Sequence, residues 1–271
     1  MTAPVIAAAA APTVDLSRLD DVPPLTHGNH RDVSDGACVM EAVSFVAGEP
    51  WSAHPACACP VPTILLVTWN DNLPDAERDA LLRPLIPLLV GTRSTPEVER
   101  RRSLMAADWL VRQHTPAWLR LAGLTVQANA LAGLPEITDI AQCRDLMPLL
   151  KSVREDANAA WDASRDAWAT RNSADADAYV VAAETTWATG AAASAAVRAA
   201  VRAADADAAW AAGATAKAAS RAAAMVATST SATAAARTVP WDAARAALRP
   251  TCEALQQSAL ALIHRMIGVA A

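Results

Sequence analysis

Along the first 150 residues, apolar side chains recur at helical spacing, and residues typical of turns and helix caps separate the periodic stretches. The first predicted helix begins near Gly36, after Ser34 and Asp35, which are both good N-cap types. Its buried face is formed by apolar residues about one turn apart: Val39, Ala42, Val43 and Val46. Cys38 is therefore expected in its first turn.

The apolar run at residues 63–69 fits either a strand or a buried helix, and the helical context favours a helix. Proline and N-cap residues mark further helix starts, most clearly at Thr95-Pro96 and again at Thr115-Pro116. The predicted helices that follow cover residues 74–82, 96–114, 115–123, 126–132 and 139–150. This pattern describes a compact N-terminal helical domain.

The pattern changes at Lys151. Between Lys151 and Val239, 38 of 89 residues are alanine and none is leucine, isoleucine or proline. Alanine is the best helix former, so the composition predicts helices packed unusually close together. Four tryptophans would supply their large contacts: Trp161, Trp168, Trp187 and Trp210. Break signals at Asn172, Gly190, Gly213 and 228–231 divide the region into four segments, which indicates an antiparallel bundle or a solenoid-like insert.

Normal amphipathicity returns at the end of the chain. Val239-Pro240 and Pro250-Thr251 each predict a helix start, and the last helix carries Leu255, Leu262, Ile263, Met266 and Ile267. We expect that helix to pack back on the N-terminal domain. The predicted fold is all-α and has four parts: a flexible arm and loop (1–35), the N-terminal helical domain (36–150), the alanine-rich region (151–239) and C-terminal amphipathic helices (240–271).

Composition and net charge restrict the classes of partner and the cellular setting that we expect. A net charge of −5 argues against nucleic acid, and the basic run Arg100-Arg101-Arg102 is interpreted as a solvated helix face because Glu97 and Glu99 flank it. No apolar stretch is long enough to predict a membrane span. Five irregularly spaced cysteines do not resemble a disulfide framework, which favours a reducing cytoplasm. There is no glycine-rich phosphate loop and no hydrolase or metalloprotease motif.

Reactive residues concentrate between His27 and Cys59, where three of the five histidines and three of the five cysteines lie. One hypothesis is a zinc site, because thiolate and imidazole are preferred zinc ligands. Its ligands would be His30, Cys38, His54 and Cys57. The Cys57-x-Cys59 spacing is tighter than that of usual ligand pairs and there is no second regular pair, so the expected state is no cofactor, with zinc as the alternative.

A second hypothesis makes Cys38 a nucleophile, since a helix N-terminus stabilises a thiolate. His54 would be its base, Asp35 or Asp32 would orient that imidazole, and Glu41 would lie one turn after the thiol. The competing interpretation is a buried and inert cysteine, because Cys38 precedes a core-facing residue.

Several segments resemble one family. They are Asp35-Gly36-x-Cys38-Val39-Met40-Glu41-Ala42, His54-Pro55-x-Cys57, Trp69-Asn70-Asp71 and the ending from Leu255 to Ile267. Together they are similar to a family of uncharacterised actinobacterial and actinophage proteins that have an alanine-rich, tryptophan-dotted middle of variable length. The resemblance implies a source and a kinship rather than a reaction. It marks Cys38, Glu41, His54 and Cys57 as the first residues to test.

The sequence thus supports two functional hypotheses. The first is a cytoplasmic, phage-related helical scaffold whose alanine-rich surface binds a protein partner or a second copy of itself. The alternative is a metal-binding or cysteine-dependent enzyme centred on Cys38, His54 and Cys57.

Overall fold

The structure, a computed structural model, describes residues 14–169, 182–183, 185–186, 189–194, 196 and 241–269. Within these ranges the chain is helical and contains no strand, which confirms the all-α prediction. Most of the proposed alanine-rich bundle or solenoid, including Trp187 and Trp210, lies outside the described residues.

Ten α-helices are described, together with shorter turns. The helices are α1 (Val39–Val46), α2 (Pro60–Asn72), α3 (Asp75–Leu82), α4 (Ile86–Leu89), α5 (Pro96–Trp109), α6 (Thr115–Leu121), α7 (Thr125–Ala132), α8 (Ile140–Asp145), α9 (Met147–Ala169) and α10 (Trp241–Ile267). Short 3₁₀ helices occupy Leu16–Asp21 and Arg83–Leu85. The ambiguous apolar run at 63–69 lies inside α2, so its helical interpretation is confirmed.

The first helix starts later than predicted. Cys38 is the N-cap of α1 and does not lie in its first turn. Ser34 and Asp35 do not cap the helix, because Ser34 bonds to Asp32 and Asp35 bonds to Arg31 within a preceding loop. Gly36 has a φ of +129°, a conformation outside the helical region, which delays the helix until the chain has turned.

The predicted helix start at Thr115 coincides with the start of α6, but the helical chain is not interrupted there. Helices α5 and α6 are joined by a π-helical segment, Leu110–His114, so the chain remains helical from Pro96 to Leu121. The Thr115 amide donates to the Leu110 carbonyl, five residues back. This wider turn accommodates Pro116 inside a continuous helix.

The C-terminal region is one helix rather than two, with Pro250 inside it. Proline removes one hydrogen bond, but it does not end a helix that tertiary contacts hold on both sides. The return of this helix to the N-terminal domain is confirmed. Gln256 Nε2 donates to Glu77 Oε2 at 2.9 Å, and Trp109 Nε1 donates to Ser258 Oγ at 2.7 Å. Six apolar side chains of α10 are buried in the common core: Leu248, Leu255, Ala259, Leu262, Ile263 and Met266.

The basic run on α5 is only partly solvated. Arg102 is 3% exposed, and its guanidinium donates to the carbonyls of Met266 (2.7 Å), Thr92 (2.7 Å) and Val269 (3.3 Å). The C-terminal end of a helix carries negative potential, so a buried cation is stabilised there. The interpretation of Arg102 as a solvated residue is therefore wrong, and this side chain ties the end of α10 to α5.

The described part of the alanine-rich region packs directly on α6. Ala192, Ala193 and Ala196 are buried, and Thr189 Oγ1 donates to the Trp118 carbonyl at 2.9 Å. Small side chains let the two backbones approach closely around the buried Trp118 ring. Among the described helices, none is long and apolar enough to cross a membrane.

Candidate functional site

The reactive segment identified in the sequence forms a hydrogen-bonded cluster at the N-terminus of α1. Cys38 and Glu41 make a reciprocal capping box there: the Glu41 amide donates to Cys38 Sγ at 3.4 Å, and the Cys38 amide donates to Glu41 Oε2 at 2.8 Å. Two of the free helix N–H groups are thereby satisfied by side chains of the same turn. Glu41 is 2% exposed, so its carboxylate makes these hydrogen bonds in a buried environment.

Glu41 also holds His30, which lies in the loop before the helix. The His30 amide donates to Oε1 at 3.0 Å, and His30 Nδ1 lies 2.8 Å from Oε2. On the other side of the ring, Nε2 lies 2.8 Å from Thr26 Oγ1. Thr26, His30 and Glu41 thus form a continuous hydroxyl, imidazole and carboxylate chain.

Asn70 of α2 connects this chain to the rest of the fold. Its side chain is fully buried; Oδ1 accepts from the Val39 amide at 3.1 Å, and Nδ2 donates to the Thr26 carbonyl at 2.8 Å. Asn70 lies near the end of α2 and acts as a cap for a different helix. Arg78 supports it by donating to the Asn70 carbonyl at 2.7 Å.

The extended segment before the cluster is anchored from α3 and the turn after it. The Leu25 amide donates to Asp79 Oδ1 at 2.8 Å, and Arg83 Nη2 donates to the Pro23 carbonyl at 2.7 Å. Leu25 itself is buried. The backbone that carries Thr26 is therefore fixed by contacts on both sides.

Cys38 is poorly suited to nucleophilic attack in this arrangement. The thiol is 1% exposed, and burial, with the adjacent Glu41 carboxylate, raises its pKa to about 12. A thiolate is the reactive form, and these surroundings disfavour it. The Glu41 and Met40 amides at the helix N-terminus do lower the pKa of this thiol, as expected, but the effect of burial is larger.

The remaining sequence-predicted residues lie apart from Cys38. His54 is exposed, and its amide donates to Ser52 Oγ. Asp35 bonds to Arg31 instead of orienting an imidazole. Cys57 is half-buried beside Glu49; burial and this carboxylate raise the pKa of its thiol. The structure therefore brings together Cys38, Glu41 and His30, and in the described residues no hydrogen bond links His54, Cys57 or Asp35 to them.

The proposed zinc-ligand set comprises His30, Cys38, His54 and Cys57, and the structure does not bring these residues together as one group. In the described part of the chain, no group of three or more His, Cys, Asp or Glu side chains is placed to hold a metal ion. His30, which belonged to the predicted set, is instead engaged by Glu41 and Thr26 on its two ring nitrogens.

Sequence reasoning missed Thr26 and the role of Asn70. Thr26 lies in a Pro- and Gly-punctuated loop where threonine carries no local signal. The capping-box spacing of Cys38 and Glu41 was visible, but cysteine is a weak acceptor and is not an expected N-cap type. No local pattern indicates that His30, eleven residues before Glu41, shares its carboxylate.

Comparison with known proteins adds no assignment, since no family model, curated protein or solved structure matches the chain. The kinship inferred from the segment around Cys38 stays a prediction.

Proposed function

We propose that this protein is a helical scaffold that holds its alanine-rich region for binding to a protein partner or to a second copy of itself. The observation that carries the proposal is the anchoring of that region at both ends. On the entry side, Leu150, Val153 and Ala157 of α9 are buried in the core; on the exit side, Leu262 and Met266 of α10 are buried in the same core.

Both helices that flank the intervening residues are therefore attached to the N-terminal core. A region with few large apolar side chains has little material for a core of its own, so the N-terminal domain supplies the stable base. Helices rich in alanine offer a flat surface that approaches another helix closely. The capping role of Cys38 and Glu41 fits this proposal, since it explains those residues by architecture.

The cellular setting is part of the proposal. All five cysteines are free, which suits a reducing cytoplasm. The net charge of −5 favours a protein partner over nucleic acid.

The test is sedimentation equilibrium of the full chain over a wide concentration range. Its matched variant replaces residues 197–239 with a glycine and serine linker of equal length, leaving the two anchoring helices in place. We expect concentration-dependent association in the parent and its loss in the variant, with helical circular dichroism of the remaining core retained. A parent that stays monomeric throughout, or association that survives the replacement, would contradict self-association through this region.

The competing proposal is the metal-binding or cysteine-dependent enzyme centred on Cys38, His54 and Cys57. Alkylation at neutral pH distinguishes the two, since a fast-reacting Cys38 supports the enzyme and a Cys38 that reacts only on unfolding supports the scaffold. Metal content after purification without chelator provides the second measurement. Stoichiometric zinc that disappears in Cys57→Ser would favour the metal-binding alternative.

A further inference from the structure

The chain of Thr26, His30 and Glu41 has the connectivity of a nucleophile, a base and an orienting carboxylate. A carboxylate only accepts hydrogen bonds, so with Glu41 ionised the proton of the neutral imidazole resides on Nδ1. Nε2 then carries a lone pair directed to Thr26 Oγ1, 2.8 Å away. This is the distance at which a general base accepts a hydroxyl proton.

We propose that Thr26 is a nucleophile, activated by His30, that accepts the acyl group of an ester. The Thr26 side chain is exposed, whereas the side chains of His30 and Glu41 are 10% and 3% exposed. Thr26 thus lies at the surface, and the groups that activate it are shielded. Shielding strengthens the electrostatic coupling between imidazole and carboxylate.

The three groups are fixed in position by the surrounding backbone. The Thr26 amide donates to the Ala37 carbonyl at 2.8 Å, and its carbonyl accepts from Asn70. The His30 carbonyl accepts from Trp51 Nε1 at 2.9 Å. Such preorganisation is what an activated nucleophile requires, because a hydroxyl that must search for its base loses much of the rate advantage.

Gly36 keeps the space beside the reacting atoms clear. A Cβ atom at this position would lie 2.8 Å from Thr26 Oγ1 and 2.7 Å from His30 Cδ2. The φ of +129° also restricts the position to glycine. Any side chain here would displace the hydroxyl or the imidazole.

The proposed reaction is an acyl transfer in two steps. Thr26 Oγ attacks the carbonyl carbon of the ester while its proton passes to His30 Nε2, and the tetrahedral intermediate then expels the alkoxide, which takes that proton. Water attacks the resulting acyl-threonine ester, again losing its proton to His30, which returns it to Thr26 Oγ as the carboxylic acid leaves. Glu41 holds the imidazole and stabilises its cationic form throughout.

The test uses an alkyl fluorophosphonate, which phosphonylates activated hydroxyls with loss of fluoride. Trypsin releases a peptide of residues 19–31, in which Thr26 is the only hydroxyl side chain, so mass spectrometry places the adduct without ambiguity. We expect labelling of the native protein, its loss in Thr26→Val, its retention in Thr26→Ser, and a rate at least about 100-fold lower in His30→Gln.

Ser17→Ala is the matched control. Ser17 Oγ is an exposed hydroxyl 2.6 Å from the Asp15 carboxylate, so its removal should leave the labelling rate unchanged. Circular dichroism and melting of each variant report the fold, and urea-unfolded parent protein gives the rate of an unactivated threonine. Labelling of the native peptide no faster than in urea, or equal rates in a folded His30→Gln, would overturn the proposal. The proposal uses no residue of the alanine-rich region, so the scaffold and the acyl transfer succeed or fail separately.

Discussion

Replacement of Asn70 by leucine should destabilise the whole N-terminal domain. Leucine has the same side-chain branching and number of heavy atoms as asparagine, and it replaces both polar atoms with methyl groups. The Val39 amide and the Thr26 carbonyl then have no partner in a site where Asn70 is fully buried. Each unsatisfied buried group costs about 1–3 kcal/mol, which gives an expected loss of about 2–6 kcal/mol in the free energy of unfolding.

The measurement is urea unfolding followed by circular dichroism, together with amide hydrogen exchange at Val39. Asn72→Leu is the matched control, because Asn72 lies on the same helix, is partly exposed and donates to the Thr68 carbonyl of its own helix. The free energy of unfolding of Asn72→Leu should differ from that of the parent by no more than about 0.5 kcal/mol. Equal stability of the two variants, or unchanged exchange at Val39, would refute the argument that Asn70 caps α1 across the fold.

Three further predictions test other tertiary contacts. Gly36→Ala should lower the thermal stability more than Gly28→Ala. Both positions have positive φ, but an added Cβ meets nothing within 4 Å at Gly28 and clashes at Gly36. Equal losses of stability would contradict this prediction. Arg102→Met should lower the free energy of unfolding in urea by about 2–4 kcal/mol, because carbonyls at the end of α10 lose a charged donor. Replacement of the exposed Arg101 by Met should change it by less than about 0.5 kcal/mol. Similar effects of the two variants would contradict the role of Arg102 in holding the end of α10 against α5. Burial lowers the pKa of His114 from 6.5 to about 3, so below pH 6.5 the unfolded chain binds a proton that the folded chain does not. The free energy of unfolding should therefore fall by about 1.4 kcal/mol per pH unit toward pH 3. His114→Phe should remove this contribution in urea titrations at several pH values, and an unchanged slope would refute it.

Much of the local structure follows from short-range patterns. The start of α5 at Thr95-Pro96 matches its cap signal, because capping depends on residues a few positions apart. The same local rules did not predict that the helical chain continues through Thr115-Pro116 and through Pro250. There the packing of neighbouring helices outweighs the intrinsic preference of proline.

The concentration of His and Cys residues pointed to the segment in which the structure brings His30, Cys38 and Glu41 together. Thr26, which completes the chain on the other side of the imidazole, was not predicted, and His54 and Cys57 are engaged elsewhere. Residue type indicated where chemistry is possible, but the partner of each group depends on the path of the loop before α1.

By itself, the sequence determined the all-helical class and the return of the last helix to the N-terminal core, because helical periodicity and apolar faces are set by residues close together in the chain. Only the tertiary structure decided which polar groups are buried and paired. Asn70 caps a helix that starts 31 residues earlier, and Arg102 binds carbonyls 164 and 167 residues later. Such pairs form because packed helices bring distant backbone groups within hydrogen-bonding distance, and a buried group must then take the partner that the fold provides.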